Sequence, residues 1–242
     1  MKKAIHLNKV FLLALLILCS TGYAQEESNV IVFSKTAGYR HQSIETGVEA
    51  LKKLGIDNNF LVDATEDANE LTKNLEKYKV VIFLSTTGTI FNKNQQKAFK
   101  KYIKNGGGFV GIHAAADTEY DWAWYGKLIG AYFLSHPKQQ NAVIHVMNHD
   151  HKATSFLSNE WQKFDEWYNY KQISPNINVL MTLDETSYSG GENGENHPIS
   201  WFHEYEGGRI FYTGLGHTKE SYADKTFLKH ILGGIHYAMK KN

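Results

Sequence analysis

Gly106-Gly107-Gly108-Phe109-Val110-Gly111-Ile112-His113-Ala114-Ala115-Ala116-Asp117 is the stretch that decides the fold. It reads as a buried strand, a sharp turn and a helix start, with an imidazole at the turn. The flanking glycines and alanines let strand and helix approach closely, and in α/β proteins ligands bind beyond the carboxyl ends of parallel strands. Many such turns carry a Ser or Cys nucleophile. This one carries His113.

Upstream, strand and helix signals alternate. Asn29 to Ser34 is an apolar run that ends in the polar loop Lys35 to His41, and Ser43 to Leu54 places Ile44, Val48, Leu51 and Leu54 at helical spacing. A strand at Asn59 to Ala64, a helix at Asp67 to Tyr78, the strand Val80 to Leu84 and a helix at Asn92 to Lys104 follow. VVIFL shows no polar alternation, the mark of a parallel strand covered on both faces. Four βα units in succession predict a doubly wound α/β fold. Downstream the rhythm changes, with strands expected at Ala142 to Met147 and Asn178 to Leu183 and a glycine-rich loop at Ser189 to Gly194. Ile199 to Glu204 and Arg209 to Thr213 read as a hairpin about Glu206-Gly207-Gly208, and a helix from Lys219 to Met239 closes the chain.

Residues 1–24 have Lys2, Lys3 and Lys9 before the apolar run Val10 to Leu18, then Gly22 and Ala24 at a cleavage site. That pattern predicts a secretory signal peptide and a periplasmic or secreted protein, with residues 25–242 as a single domain. The run is shorter than the roughly 20 residues a membrane span needs. Lipoprotein processing at Cys19 would require a small residue where Leu18 stands, so the cleaved leader is preferred. Without the leader, 23 basic residues face 25 acidic ones, which gives no basis for nucleic-acid binding. Cys19 is the chain's one cysteine, so residues 25–242 have neither disulfide nor thiol nucleophile.

His41, His113, His197 and His217 stand at or near predicted strand ends. If the strands run parallel, His41, His113 and His217 point to one mouth, where three imidazoles can bind a divalent metal such as zinc or move protons near neutral pH. Asp165-Glu166-Trp167-Tyr168 places carboxylates beside aromatic rings, suited to base chemistry or to gripping a sugar, and Glu166 is the preferred carboxylate. Asp117, Arg40 and Tyr39 are candidates to line the same mouth. Trp122, Trp124 and Trp201 are candidates for a stacking wall, with core packing as the alternative. His145, His149 and His151 read as an exposed turn rather than a metal site.

Five stretches together resemble the trehalose-utilisation, ThuA-like family. They are Phe33 to His41, Gly107 to Ala115, Asp165 to Tyr168, His197-Pro198-Ile199-Ser200-Trp201 and Tyr212 to Thr218. The resemblance runs from about Asn29 to the C-terminus. It implies a flavodoxin-like three-layer sandwich with a mostly parallel central sheet, of the class I glutamine amidotransferase-like type, and a role in disaccharide and 3-keto-sugar catabolism. That superfamily uses a Cys, His and Glu triad. Here His113 stands at the elbow, with His217 and Glu220 downstream, so Cys-dependent amide hydrolysis is excluded. Lys152 departs from the proline common after the loop histidine.

The expected activity is that of an exported carbohydrate-active hydrolase, lyase or isomerase, with a disaccharide or 3-keto-glycoside as substrate and no nucleotide cofactor. A keto group at C3 acidifies the C2 hydrogen, which His113 or Glu166 would abstract while His217 or a metal stabilises the developing charge. Arg40, His41, Asp117, Tyr168, His197 and Trp201 are the expected substrate contacts. The alternative is a non-catalytic sugar-binding module using the same mouth. A two-carboxylate glycosidase is disfavoured because no clear second acid accompanies Glu166.

Overall fold

The computed structural model describes residues 30–240. The leader expected at residues 1–24, with Cys19, lies outside them. The first four strands are β1 (Val30–Phe33), β2 (Val62–Thr65), β3 (Val80–Leu84) and β4 (Gly108–Ile112). Then come β5 (Tyr132–Ser135), β6 (Gln140–Val146), β7 (Glu160–Asp165), β8 (Asn169–Lys171), β9 (Asn178–Asp184), β10 (His197–Tyr205) and β11 (Gly208–Thr213). The helices are α1 (Ile44–Asp57), α2 (Ala68–Lys73), α3 (Lys93–Lys104), α4 (Ala123–Ile129) and α5 (Lys225–Ala238).

Nine strands form one mixed sheet in the order β2-β1-β3-β4-β11-β10-β9-β6-β7. The strands β2, β1, β3, β4 and β11 are mutually parallel, and the rest join antiparallel. The runs VIVF, VVIFL and GFVGI are buried at every position, as strands covered by helices on both faces require. Helix α5 packs on β11 and β4, α4 on β11, and α1 on β2 and β3. Close approach explains Gly111, where a Cβ would lie 2.7 Å from Ile129 Cδ1 and 2.9 Å from the Tyr212 ring. Because β1, β4 and β11 run the same way, the loops leaving them open at one end of the sheet. That end also carries the switch point between β1 and β3, on whose other side β2 lies.

Several boundaries differ from the sequence expectation. The helix expected at Asp67 to Tyr78 breaks at Asn74 into α2 and a short 3₁₀ turn at Leu75–Lys77. Asn74 carries the break, its side-chain amide turned back onto the Glu70 carbonyl at 3.2 Å. The closing helix begins at Lys225 rather than Lys219. Glu220–Ala223 forms a separate 3₁₀ turn, and the Asp224 carboxylate accepts from Thr226 N–H to start α5 afresh. After β4 the chain makes a 3₁₀ turn at His113–Ala116 instead of entering an α-helix. The pair β5 and β8, a small antiparallel sheet of its own, and the edge strand β7 were not foreseen. In β7 the inward positions are Lys163 and Asp165, so the strand lacks an apolar alternation to read.

Candidate functional site

His113 has φ of +52°, in the left-handed region that costs a non-glycine residue about 1–3 kcal/mol. The elbow is therefore real, and the strained residue is the imidazole itself. Its Nδ1 lies 2.8 Å from the Gly214 carbonyl, an obligate acceptor, so Nδ1 carries a proton and Nε2 is the nitrogen turned to the site. Behind the ring stands Tyr168, with centroids 4.3 Å apart.

His113 Nε2 faces His217 Nδ1 at 3.0 Å and Glu166 Oε2 at 3.5 Å, and His217 Nδ1 is 3.0 Å from the same oxygen. The His41 ring stands edge-on to both imidazoles, with centroids 4.8 Å from His113 and 5.1 Å from His217. One ligand atom from each of His41, His113, Glu166 and His217 falls within 4.8 Å of the others, the one such group of histidine and acid side chains among the described residues. The three expected histidines do converge, and Glu166 joins them.

The electrostatics suit a cation. Burial, reinforced by the charges of His113 and His217, pushes His41 down to about 2, so its ring stays neutral. Its Nδ1 is buried without a hydrogen-bond partner. Burial pushes the Glu166 carboxyl up, but hydrogen bonds with His113 and His217 and their charges outweigh it and hold the group well below the usual carboxylate range. Two atoms bound to one ion at about 2.1 Å lie about 3.0 Å apart at a right angle and about 3.4 Å apart at the tetrahedral angle. The separations of 3.0, 3.0 and 3.5 Å among His113, His217 and Glu166 lie in or close to that span. Three imidazoles and a carboxylate suit zinc, iron or manganese better than magnesium or calcium.

Asp165, the neighbour of Glu166, is fully buried and organises the loop that bears His217. Its Oδ1 accepts from the backbone N–H of His217 at 3.0 Å and of Glu166 at 3.0 Å. Its Oδ2 accepts from Gly216 N–H at 2.9 Å and Ser221 Oγ at 3.1 Å. This contact brings the end of edge strand β7 onto the loop leaving β11. Sequence reasoning noted Asp165 only as one of two adjacent acids.

At the outer rim, His136 Nδ1 lies 3.3 Å from Glu166 Oε1, with its side chain 43% exposed. No motif marks His136, which follows β5 in an irregular loop. Asp117 lies within electrostatic reach of His113 and His136: Tyr120 donates to its Oδ1 at 2.6 Å, and burial raises the carboxyl above its ordinary value against that bond.

Other expected contacts are corrected. Arg40 Nη2 is held by Glu66 at 2.7 Å and Glu45 at 2.8 Å, and these two carboxylates offset the charge that an anionic ligand would need. Trp201 is fully buried, its Nε1–H given to the Ile129 carbonyl at 2.8 Å and its ring stacked on Tyr212. Trp122 and Trp124 stack on each other, and Trp124 donates to Glu206, so the tryptophans build no sugar-stacking wall. His197 is also fully buried, clamped between Glu185 and the Tyr168 carbonyl at 2.8 Å each. Burial lowers its pKa, against the pull of those two acceptors. Tyr168 is buried too, a wall behind His113 rather than a surface for substrate. Glu220 is exposed, and the carboxylate beside His217 is Glu166. His151 stacks on Phe202 at 4.6 Å, and burial takes its pKa down to about 4.

Comparison with known proteins fits this architecture. The ThuA family model, described as trehalose utilisation, matches residues 29–238. A ThuA-like protein from Bacteroides uniformis superposes with a TM-score of 0.76 at 24% identity, over 90% of this chain and 94% of that one. One from Parabacteroides merdae gives 0.75 at 20% identity, over 88% and 90%. A GMP synthase-like protein from Thermoplasma acidophilum shares the fold at a TM-score of 0.54 and 11% identity, over 88% and 95%. No curated protein matches the chain. A family match of this extent, over a mixed sheet whose parallel half ends in the His113 elbow, leads to one conclusion: the chain belongs to the ThuA, trehalose-utilisation, family.

Proposed function

We propose that this protein is a metal-assisted carbohydrate-active enzyme whose substrate is a 3-keto-glycoside or a related disaccharide derivative. The observation that carries the proposal is the convergence of ligand atoms from His41, His113, Glu166 and His217 within 4.8 Å. A bound divalent ion would act as a Lewis acid on a substrate carbonyl or hydroxyl oxygen. The chain's own residues supply the rest. The Gly214 carbonyl fixes the His113 tautomer, and Asp165 fixes the backbone of His217.

Holding a metal commits His113 and Glu166 as ligands, so neither is free to take the C2 proton. Asp117 is the better base. Its carboxyl is raised by burial, and the charges of His113 and His136 act on it. Glu166 and Asp117 thus have pKa values displaced in opposite directions, the pattern expected when one carboxylate ligates and the other exchanges protons. Export to the periplasm belongs to the same proposal and rests on the leader-like residues 1–24.

Purified protein is incubated with 3-keto-trehalose and 3-keto-glucosides, with and without Zn²⁺ or Mn²⁺. Metal-dependent consumption is expected, with loss of activity in Asp117→Asn. Unchanged substrate under every metal counts against an enzyme, and calorimetric binding without turnover would indicate a sugar-binding module instead.

A further inference from the structure

The Glu166 carboxylate has two oxygens in different surroundings. Oε2 faces His113 Nε2 and His217 Nδ1, whereas Oε1 faces His136 Nδ1 at 3.3 Å. That Nδ1 also lies 2.9 Å from the Pro137 carbonyl. Both partners are acceptors, so Nδ1 carries the proton: its hydrogen bond goes to Pro137, and Oε1 lies within electrostatic reach of the same N–H. The ring is held in place, near-parallel to Tyr168 at 6.0 Å and packed on Phe133 at 5.8 Å. Tyr168 is the ring that backs His113, so one aromatic stack aligns His136 with a ligand of the centre.

We infer that His136 is a positioning residue which holds Glu166 Oε1 away from the centre, so that the carboxylate binds a metal through Oε2 alone and one coordination position stays open for substrate. The inference rests on the metal-binding proposal above. A carboxylate with both oxygens free can close around an ion and occupy two positions, leaving less room for an incoming oxygen ligand. Groups that hold the far side of a metal ligand set its orientation, and their loss typically changes metal affinity by about 10–100-fold. His136 is suited to this because it stands outside the four-ligand set, at the exposed edge, on the loop between β5 and β6.

The test uses the full chain loaded with Co²⁺, whose visible absorption weakens several-fold on passing from four or five ligands to six. Wild type, His136→Ala and His136→Asn are compared by absorption spectrum and by calorimetric Co²⁺ affinity, with apo-protein melting curves to establish that each variant folds. His136→Ala is expected to show a several-fold weaker visible band and an affinity changed by about tenfold. His136→Asn places an N–H near the position of Nδ1 and is expected to restore both. A spectrum and affinity in His136→Ala equal to wild type would overturn the inference while leaving metal binding intact. Complete loss of binding in a folded His136→Ala would make His136 a ligand and overturn it too. If wild type binds no Co²⁺, the metal-binding proposal falls and this inference with it.

Discussion

Replacing Asp165 with Asn tests whether one buried carboxylate holds the His217 loop where the imidazole would ligate the proposed metal. The four donors on Asp165 divide unequally. Oδ1 meets two backbone N–H groups that cannot turn away, and Oδ2 meets Gly216 N–H and the rotatable hydroxyl of Ser221. The Asn amide nitrogen will therefore sit at the Oδ2 end, where Ser221 can rotate to accept from it but Gly216 N–H cannot. The variant loses one hydrogen bond to a charged acceptor, of about 1.5–3 kcal/mol, and weakens the remainder by removing the charge. A total near 3 kcal/mol, at about 2–4 °C per kcal/mol for a chain of this size, predicts a Tm lower by roughly 6–12 °C. Because the lost bonds hold Gly216 and His217, Zn²⁺ affinity at temperatures where the variant is folded should also fall, by about 10–100-fold. Calorimetric melting without metal and isothermal titration with Zn²⁺ read the two effects separately. An unchanged Tm would refute the hydrogen-bond accounting. A lowered Tm with wild-type Zn²⁺ affinity would refute the link between Asp165 and the ligand.

Two further outcomes follow from buried groups away from the centre. His230 is fully buried between the Ala153 carbonyl and Ser200, and burial takes its pKa down to about 4. The unfolded chain binds this proton near pH 6.5 and the native state only near 4, so its contribution to stability is complete above 6.5 and is lost as pH falls through that window. At pH 4.5 the loss is about 3 kcal/mol. Urea unfolding of wild type and His230→Gln at pH 7 and 4.5 should show wild type losing that much more than the variant, and equal losses would sink the argument. Trp201→Phe removes the donor to the Ile129 carbonyl and should cost about 1–3 kcal/mol without changing metal affinity or turnover. A selective loss of turnover would return Trp201 to the substrate site.

The parallel half of the fold was legible because its strands are unbroken apolar runs and its elbow is marked by glycine and alanine on both sides. The convergence of His41, His113 and His217 was legible for the same reason: parallel strands send their outgoing loops to one end. Glu166 could be singled out only as an acid among aromatics, since nothing local shows that β7, four places from β11 in the sheet, returns to the β11 loop through Asp165. His136 left no signal, because its place is fixed by packing on Phe133 of β5 and on Tyr168, which immediately precedes β8. Trp201 and His197 misled for a related reason. Both stand on β10 in a stretch that resembles a family motif, but their polar atoms are used up inside the core.

The four ligand atoms come from positions 41, 113, 166 and 217, and the last lies in the loop after β11. A growing chain that has formed only β1 to β4 holds two of the four and lacks the carboxylate. Capture of a cation through the whole set must therefore wait for the final strand to insert between β4 and β10. If the site takes up a metal as proposed, uptake would mark completed assembly: half-built or mis-threaded molecules would lack the full ligand set, and the time course of loading during refolding would trace the closing step of the sheet.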